Sequence, residues 1–562
     1  MNQMYYEPEV KIYKKDKIID ISKYVEGIII TKSINKPAAA FSITLNPSIT
    51  LKGGLTISTS AIFNKLKSQI ELNDIIAGKF NSQSKKYSFL GFVSNQYESS
   101  SQLNNQTSRS IVIDGSFLLP KLLIKDNIVH APQLAVMPEI TSDPVLGERA
   151  KFFAWTRGDY TVIENELYPK ISNYIDNVNP APHPVGKGSV FVNTPQKIVE
   201  WILNECVATN TQLLGGLNAM SFFPGPKSNI LDMNKKPILD FQFLTGEYIY
   251  GEALSQYTGS LINYIYECLD RDFYELFFDT GTRSDGLPCN TMTIRTRPFT
   301  HKDVDQSSFF KNWSYWEDLP TTTLKKSDIL KKNVGISDYE LKNYFAVNYR
   351  KSMFSTVLSE FGVNFPILNI NSIKKYGLRS LEVQSTIVAD ISNLRNEHNK
   401  SVDENNAELL VSMAQKNKEP LFKGLLDKRD KIKEWYAFPF FESGNLTTVL
   451  NDEITIGSRV ELPEHEYYSP LEKKIYKGCK FYVNEVKHTF KWGSIPTTQI
   501  GVTRGHPDGI VKKWFDHPDN KFTTTPLELK PETNIKIKTD PPEFYDKVFE
   551  INSQITNIEE VE

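Results

Sequence analysis

Near both ends of the chain, apolar residues fall on every second position, a spacing that only an extended strand with one buried face can use. Phe41, Ile43 and Leu45 alternate with Ser42 and Thr44 before Asn46 and Pro47 close the run. Tyr87–Val93 and Arg109–Asp114 read as further strands, the second ending on Asp114 and Gly115, a turn-forming pair. Far along the chain, Ile454, Ile456, Val460 and Leu462 share one phase and Phe481 and Val483 follow, while Val486, His488 and Phe490 continue on the opposite phase. The slip at Asn484 and Glu485 predicts a β-bulge. Ile500 and Val502 then lead into Arg504 and Gly505, which end the last strand.

Between these ends the period changes. Thr194 as N-cap and Pro195 in the first turn predict a helix with Ile198, Val199, Ile202, Leu203 and Cys206 on its apolar face. A short helix is expected within Ala61–Leu72, strands around Met292–Ile294 and Phe345–Tyr349, and either state for Leu261–Phe278, which is apolar without phase. Val383–Tyr436 is rich in Glu, Lys, Asn, Leu and Ala, which predicts helices broken at Pro420 with their mixed charges on a solvated face. Pro120–Pro184 carries prolines and glycines without a sustained period and reads as irregular insertions.

The chain has 562 residues, enough for about three to five domains. Its 40% hydrophobic and 12% aromatic content is that of a chain folded over most of its length. With 65 basic against 67 acidic residues there is no global positive field to grip nucleic acid, and sequence-specific nucleic-acid binding is not expected. Neither a signal-type apolar core at the start nor a membrane-length apolar run is present, so the expectation is a soluble protein made in the cytoplasm that does not insert into a membrane by itself. Cys206, Cys268, Cys289 and Cys479 lie far apart without CxxC spacing and are expected to be reduced, buried thiols.

The motifs of common catalytic chemistries are missing: no HExxH, no GxSxG, no GxxxxGK[ST]. His506-Pro507-Asp508 and His517-Pro518-Asp519 bring imidazole and carboxylate together twice, but His-Pro-Asp is ordinary turn chemistry. Glu464 with Glu466, or Asp270 with Asp272, could form a glycosidase pair, yet 67 acidic residues supply such pairs by chance. Trp313, Tyr315 and Trp316 could form a sugar platform, although such clusters are more often core or interface. Gly53-Gly54 reads as a turn rather than a phosphate cradle. No catalytic, cofactor-binding or metal residue is therefore assigned, no cofactor is expected, and the chain is read as a non-enzyme.

Two segments share a layout: Tyr87–Gly115 and Lys480–Gly505 each run strand, polar connection, strand, each after an Ile-containing stretch, Ile75-Ile76-Ala77-Gly78 and Ile454-Thr455-Ile456-Gly457. The stretch Ile454–Val460, with Phe481–Phe490, Thr497–Ile500 and Thr503-Arg504-Gly505, resembles the closing barrel of contractile-tail phage baseplate hub proteins, including the late-control-D-type tail proteins and the hub portion of type VI secretion spikes. Ile21–Ile30, Phe41–Leu45 and Phe89–Val93 look like that family's opening barrel.

The resemblance implies a β-rich α+β, multidomain fold with two similar β-barrel domains plus helical and irregular insertions, forming a trimeric ring. The expected division is 1–120, an N-terminal hub barrel; 121–340, an inserted mixed α/β region; 341–440, strands followed by helices; 441–515, the second hub barrel; and 516–562, an extended C-terminal linker or tail rich in Pro, Thr and Lys. The implied partners are two further copies of the chain in a homotrimer, a trimeric spike protein, tail tube or tube-initiator proteins, and a tape-measure protein. The implied location is the baseplate of a virion tail, assembled in the host cytoplasm. The alternatives are a tail-associated peptidoglycan hydrolase and a peripheral baseplate or receptor-binding subunit.

Overall fold

The computed structural model describes residues 7–50, 56–128, 195–203, 231–349, 366–388 and 418–524, with interruptions inside these ranges. The elements named below all belong to one compact unit, Met1–Thr523. It is predominantly β-sheet. The strands used in the argument are β1 (Glu9–Tyr13), β2 (Ile18–Asp20), β3 (Val25–Ser33), β4 (Lys36–Leu45), β5 (Ile75–Lys79), β6 (Phe89–Leu103), β7 (Gln106–Phe117), β8 (Tyr274–Thr282), β9 (Pro288–Thr296), β10 (Thr321–Thr323), β11 (Ile329–Ile336), β12 (Glu442–Val449), β13 (Arg459–Ser469), β14 (Lys474–Lys491) and β15 (Thr497–His506). The helices used in the argument are α1 (Ser60–Ser68), α2 (Leu118–Lys125), α3 (Leu261–Cys268) and α4 (Lys418–Tyr436).

Thirteen of the described strands form one sheet in the order β11-β12-β15-β14-β3-β4-β7-β6-β5-β1-β2, with β13 added beside β14 and β10 beside β13. Among the described residues the expected pair of closed barrels is not found. Strands from both ends of the chain belong to a single open path, because β14 is long enough to serve two neighbours along one edge. Its first half pairs with β13 from Lys474↔Ser469 to Tyr482↔Arg459, and its second half pairs with β3 from Glu485↔Ser33 to Lys491↔Gly27. The pairing register of β14 with β15 slips between Val483 and Glu485, which is the bulge expected from the phase change at Asn484.

Two apolar cores lie under this sheet. One is built from the N-terminal strands and α1, which buries Phe63 and Leu66; Leu450 and Phe490 reach it from the far end of the chain. The other joins α2, α3, the β8–β9 hairpin, α4 and the C-terminal strands, and contains Trp316, Trp435 and Tyr482.

Several local expectations need correction. Pro420 does not break a helix: it sits in the first turn of α4, where its missing N–H has no intrahelical partner to lose. The charges of α4 are not all solvated either, since Lys428 and Lys431 are buried and ion-paired with Asp270 and Asp305. Leu261–Phe278 is both helix and strand, α3 followed by the start of β8. The helix expected from Pro195 is present over Pro195–Trp201. Ile454–Gly457 is a turn rather than a strand, whereas Ile75–Gly78 lies in β5, so the two Ile-containing stretches are not equivalent. Most of Pro120–Pro184, Gly53-Gly54 and nearly all of 516–562 beyond Thr524 lie outside the described residues.

Gly457 shows why that turn needs glycine. Its φ is +74°, and a Cβ there would come within 2.5 Å of the Phe277 ring and 2.9 Å of the Arg295 guanidinium. Gly493 has a similar φ of +79° but nothing within 4 Å of the same position. Gly457→Ala should therefore cost about 2–4 kcal/mol, combining strained backbone with overpacking, against about 1 kcal/mol for Gly493→Ala. Urea unfolding midpoints of the two variants measure the difference.

Candidate functional site: the seam between the two ends of the chain

The feature that organises the molecule is the antiparallel seam between β3 and β14. β3 buries Ile28 and Ile30 toward the N-terminal core, and β14 buries His488 and Phe490 beside them. At one end of the seam the Ile34 amide donates to the Asn484 carbonyl at 3.0 Å. At the other, the Trp492 amide donates to the Glu26 carbonyl at 3.0 Å and its indole N–H to the Val25 carbonyl at 2.7 Å.

The β8–β9 hairpin braces the seam from one face. On the N-terminal side, the buried ammonium of Lys32 in β3 is ion-paired with Asp279 of β8. The Asn290 side chain accepts from the Leu119 amide at 3.0 Å and donates to the Leu90 carbonyl at 3.3 Å. On the C-terminal side, Arg295 donates to Glu275 at 2.7 Å and to the Gly457 carbonyl at 2.6 Å, while the Tyr482 hydroxyl donates to the other Glu275 oxygen at 2.6 Å. Burial opposes the charge of Arg295, but Glu275 beside it more than offsets this and raises its pKa; burial drives the Tyr482 hydroxyl well up. One hairpin from the inserted region thus holds side chains from both ends of the chain.

The residues singled out from sequence do not converge on an active centre. Asp270 is buried against Lys428 at 2.9 Å and also accepts from the Ser385 hydroxyl, while Asp272 is exposed. Glu464 and Glu466 lie exposed on β13 and flank the inward-facing His465. Trp313 and Trp316 are core residues, with Tyr315 packed against that core and bonded to Asp305 at 2.8 Å. His506 is buried, Asp508 pairs with Lys480 at 2.5 Å, and the His517 ring accepts from the Asp519 amide at 3.3 Å as a local turn contact. Cys268, Cys289 and Cys479 are free and buried; Cys206 lies outside the described residues.

Two mixed clusters escaped the sequence reading because their members come from separate segments: Glu442 with His465 and Cys479, and His301 with Asp303 and Glu317. In the first, the Lys332 ammonium lies 3.0 Å from His465 Nδ1 and Glu442 lies 2.5 Å from Nε2. An ammonium can only donate, so Nδ1 accepts and Nε2–H donates to the carboxylate. Both ring nitrogens are already engaged, which leaves the imidazole no lone pair for a metal ion. In the second, Glu317 bonds His301 Nδ1 at 3.1 Å and accepts from the Lys302 amide at 3.1 Å.

No protein-family model and no curated protein matches the sequence. Among solved structures, the chain is similar to a tail protein from Neisseria meningitidis MC58, with a TM-score of 0.39 and 10% identity over 92% of this chain and 99% of that one. It is also similar to the 43 kDa tail protein of prophage MuSo2 from Shewanella oneidensis, with a TM-score of 0.38 and 10% identity over 88% and 98% of the two chains. A third likeness, with a TM-score of 0.33 and 7% identity over 86% and 74%, is to an Escherichia coli component of the type VI secretion system that exhibits structural similarity to the T4 bacteriophage tail proteins gp27 and gp5. Similarity at this level assigns no residue roles to the present chain.

The seam makes two predictions. Lys32→Ala leaves the part-buried Asp279 carboxylate without its ion-pair partner and should cost about 2–4 kcal/mol, whereas Lys32→Met combined with Asp279→Leu should recover most of that loss; denaturant midpoints of the single and double variants check it. His488 donates to or accepts from Thr498 Oγ1 at 3.0 Å, and burial, with the nearby Lys32 charge adding to it, pushes its pKa down to about 3. The folded state thus keeps this imidazole neutral where the unfolded chain protonates it, below about pH 6.5. Its contribution to stability is intact above that pH and is lost as pH falls toward 3, with a slope of up to about 1.4 kcal/mol per pH unit. Urea midpoints of the parent and His488→Gln between pH 7 and pH 4.5 should diverge in slope, the variant being flatter.

Proposed function

We propose that the chain is the structural hub of a contractile tail or injection machine, a homotrimer that joins a hexameric tail tube to a trimeric central spike and encloses part of the axial channel. The observation that carries this reading is the β3–β14 seam. It welds the strands of the two hub-like segments into one sheet, so each chain offers two β modules held in fixed relation. In this reading three copies of a two-module chain present six β surfaces to a six-fold tube. On the same reading 1–120 and 441–515 are the two ring-forming modules, 121–340 supplies the bracing hairpin, and 341–440 supports it through α4.

Exposed apolar side chains support an assembly role. Trp492 and Ile495, at the turn between β14 and β15, are 50% and 68% exposed, and Ile18 in β2 is 61% exposed. Large apolar groups held in water on a turn are what an interface covers. Of the carboxylates singled out from sequence, Asp270 is held by Lys428, and Glu464 and Glu466 stand exposed on a strand, flanking the buried His465. The role proposed is mechanical and non-enzymatic, with the spike, the tube or its initiator and a tape-measure protein as partners in a virion baseplate.

Solution mass measurement of the chain alone should give three times the 64.2 kDa chain mass, and complexes with its tube and spike partners should contain three copies of it. Electron microscopy of particles should place three copies on the axis. Six or more copies off the axis would favour a peripheral baseplate subunit, and a clearing band on a peptidoglycan zymogram would overturn the non-enzymatic role.

A further inference from the structure

A pocket of about 400 Å³ opens where the β14 bulge, the strand β8 and the end of α4 meet, and Arg271, Arg297 and Arg504 all line it. Arg504 is the unusual member. It is buried, its backbone is held at a φ of +56°, and its guanidinium donates to the Trp435 carbonyl. The guanidinium lies 3.9 Å from the centre of the Phe299 ring and 5.1 Å from that of Tyr436. Among the described residues no carboxylate lies within ion-pair distance of it. A buried charge without a counter-ion and a left-handed non-glycine backbone are both unfavourable, and their coincidence on a pocket wall is the mark of a site shaped for something else.

The neighbouring cations sharpen the point. Arg297 donates to the Arg271 carbonyl at 2.9 Å and approaches the Tyr436 hydroxyl at 3.5 Å, and its Nε is buried without a hydrogen-bond partner. Arg271 is exposed and stacks at 4.1 Å over Tyr266. Two carboxylates face the same space: Glu275, already engaged by Arg295 and Tyr482, and the exposed Glu340. The wall therefore keeps a positive excess. Burial lowers the Arg504 pKa, against the opposing pull of Tyr436 and Glu340, and the positive charge of Arg297 adds to the lowering. The Asn484 Oδ1 on the same wall is buried without a partner and is free to accept from a hydroxyl.

We propose that this pocket binds a small oxyanion, a phosphate or carboxylate group, with Arg504, Arg297 and Arg271 as its cationic wall and Asn484 accepting from a hydroxyl of the same ligand. Guanidinium groups are suited to this because their N–H donors match the spacing of oxyanion oxygens. The inference is independent of the hub reading and stands or falls separately from it.

Thermal unfolding of the full chain in sodium phosphate, sodium acetate and sodium chloride at matched ionic strength tests the proposal. Phosphate or acetate should raise the midpoint saturably, with chloride inert; saturation separates binding from the general stabilising effect of phosphate. A response to phosphate alone assigns a phosphate ligand, and a response to acetate assigns a carboxylate. Arg271→Gln, exposed and outside both cores, should fold normally and weaken the anion's apparent affinity by roughly tenfold. Glu340→Gln should strengthen it. Identical midpoints in the three salts, or an anion response unchanged in both variants, would overturn the proposal.

Discussion

The structure depends on a change of neighbour along one strand. β14 pairs with β13 up to Tyr482 and with β3 from Glu485 onward, and the bulge between them is where one partner leaves and the other arrives. An extra residue on one strand bends it and strengthens its local twist. That bend lets a single 18-residue strand close the C-terminal core with its first half and the N-terminal core with its second. At the handover the Val483 amide donates to the Ser458 carbonyl at 2.9 Å, while the next carbonyl, Asn484, accepts from the Ile34 amide at 3.0 Å.

Around that strand, buried ion pairs join segments distant in sequence. Lys32 meets Asp279, Asp270 meets Lys428, Asp305 meets Lys431 and Glu275 meets Arg295. Such pairs add little net stability over apolar packing, but separating one leaves a lone charge in a dry interior, at a cost of about 3–5 kcal/mol. Arrangements that misplace the β8–β9 hairpin or α4 are penalised accordingly, and the two ends of the chain are held in one relation.

Much of the fold was legible in the sequence wherever side-chain period and local chemistry decide the outcome. The alternation at Phe41–Leu45 gave β4, the slip at Asn484 and Glu485 gave the bulge, and Pro195 marked a helix start. The buried cysteines at 268, 289 and 479 followed from the preference of free thiols for interiors. The misreadings share a cause. In sequence Pro420 reads as a breaker because a helix start cannot be located from a proline alone, and the lysines of α4 read as solvated because Asp270 and Asp305 are far away in sequence.

What the sequence determined by itself is therefore the β-rich character of the two ends, the position of the bulge and the absence of familiar catalytic motifs, since each is written in spacings of a few residues. Only the tertiary structure decided that the two ends share one sheet, that one hairpin staples both, and that Arg271, Arg297 and Arg504 converge on one pocket. The reason is physical. Strand period specifies which face of a strand is buried but not which strand lies beside it, and a charge pattern specifies its own sign but not its partner. Both are settled when the chain closes over its cores, and here the change of neighbour along β14 settles them together.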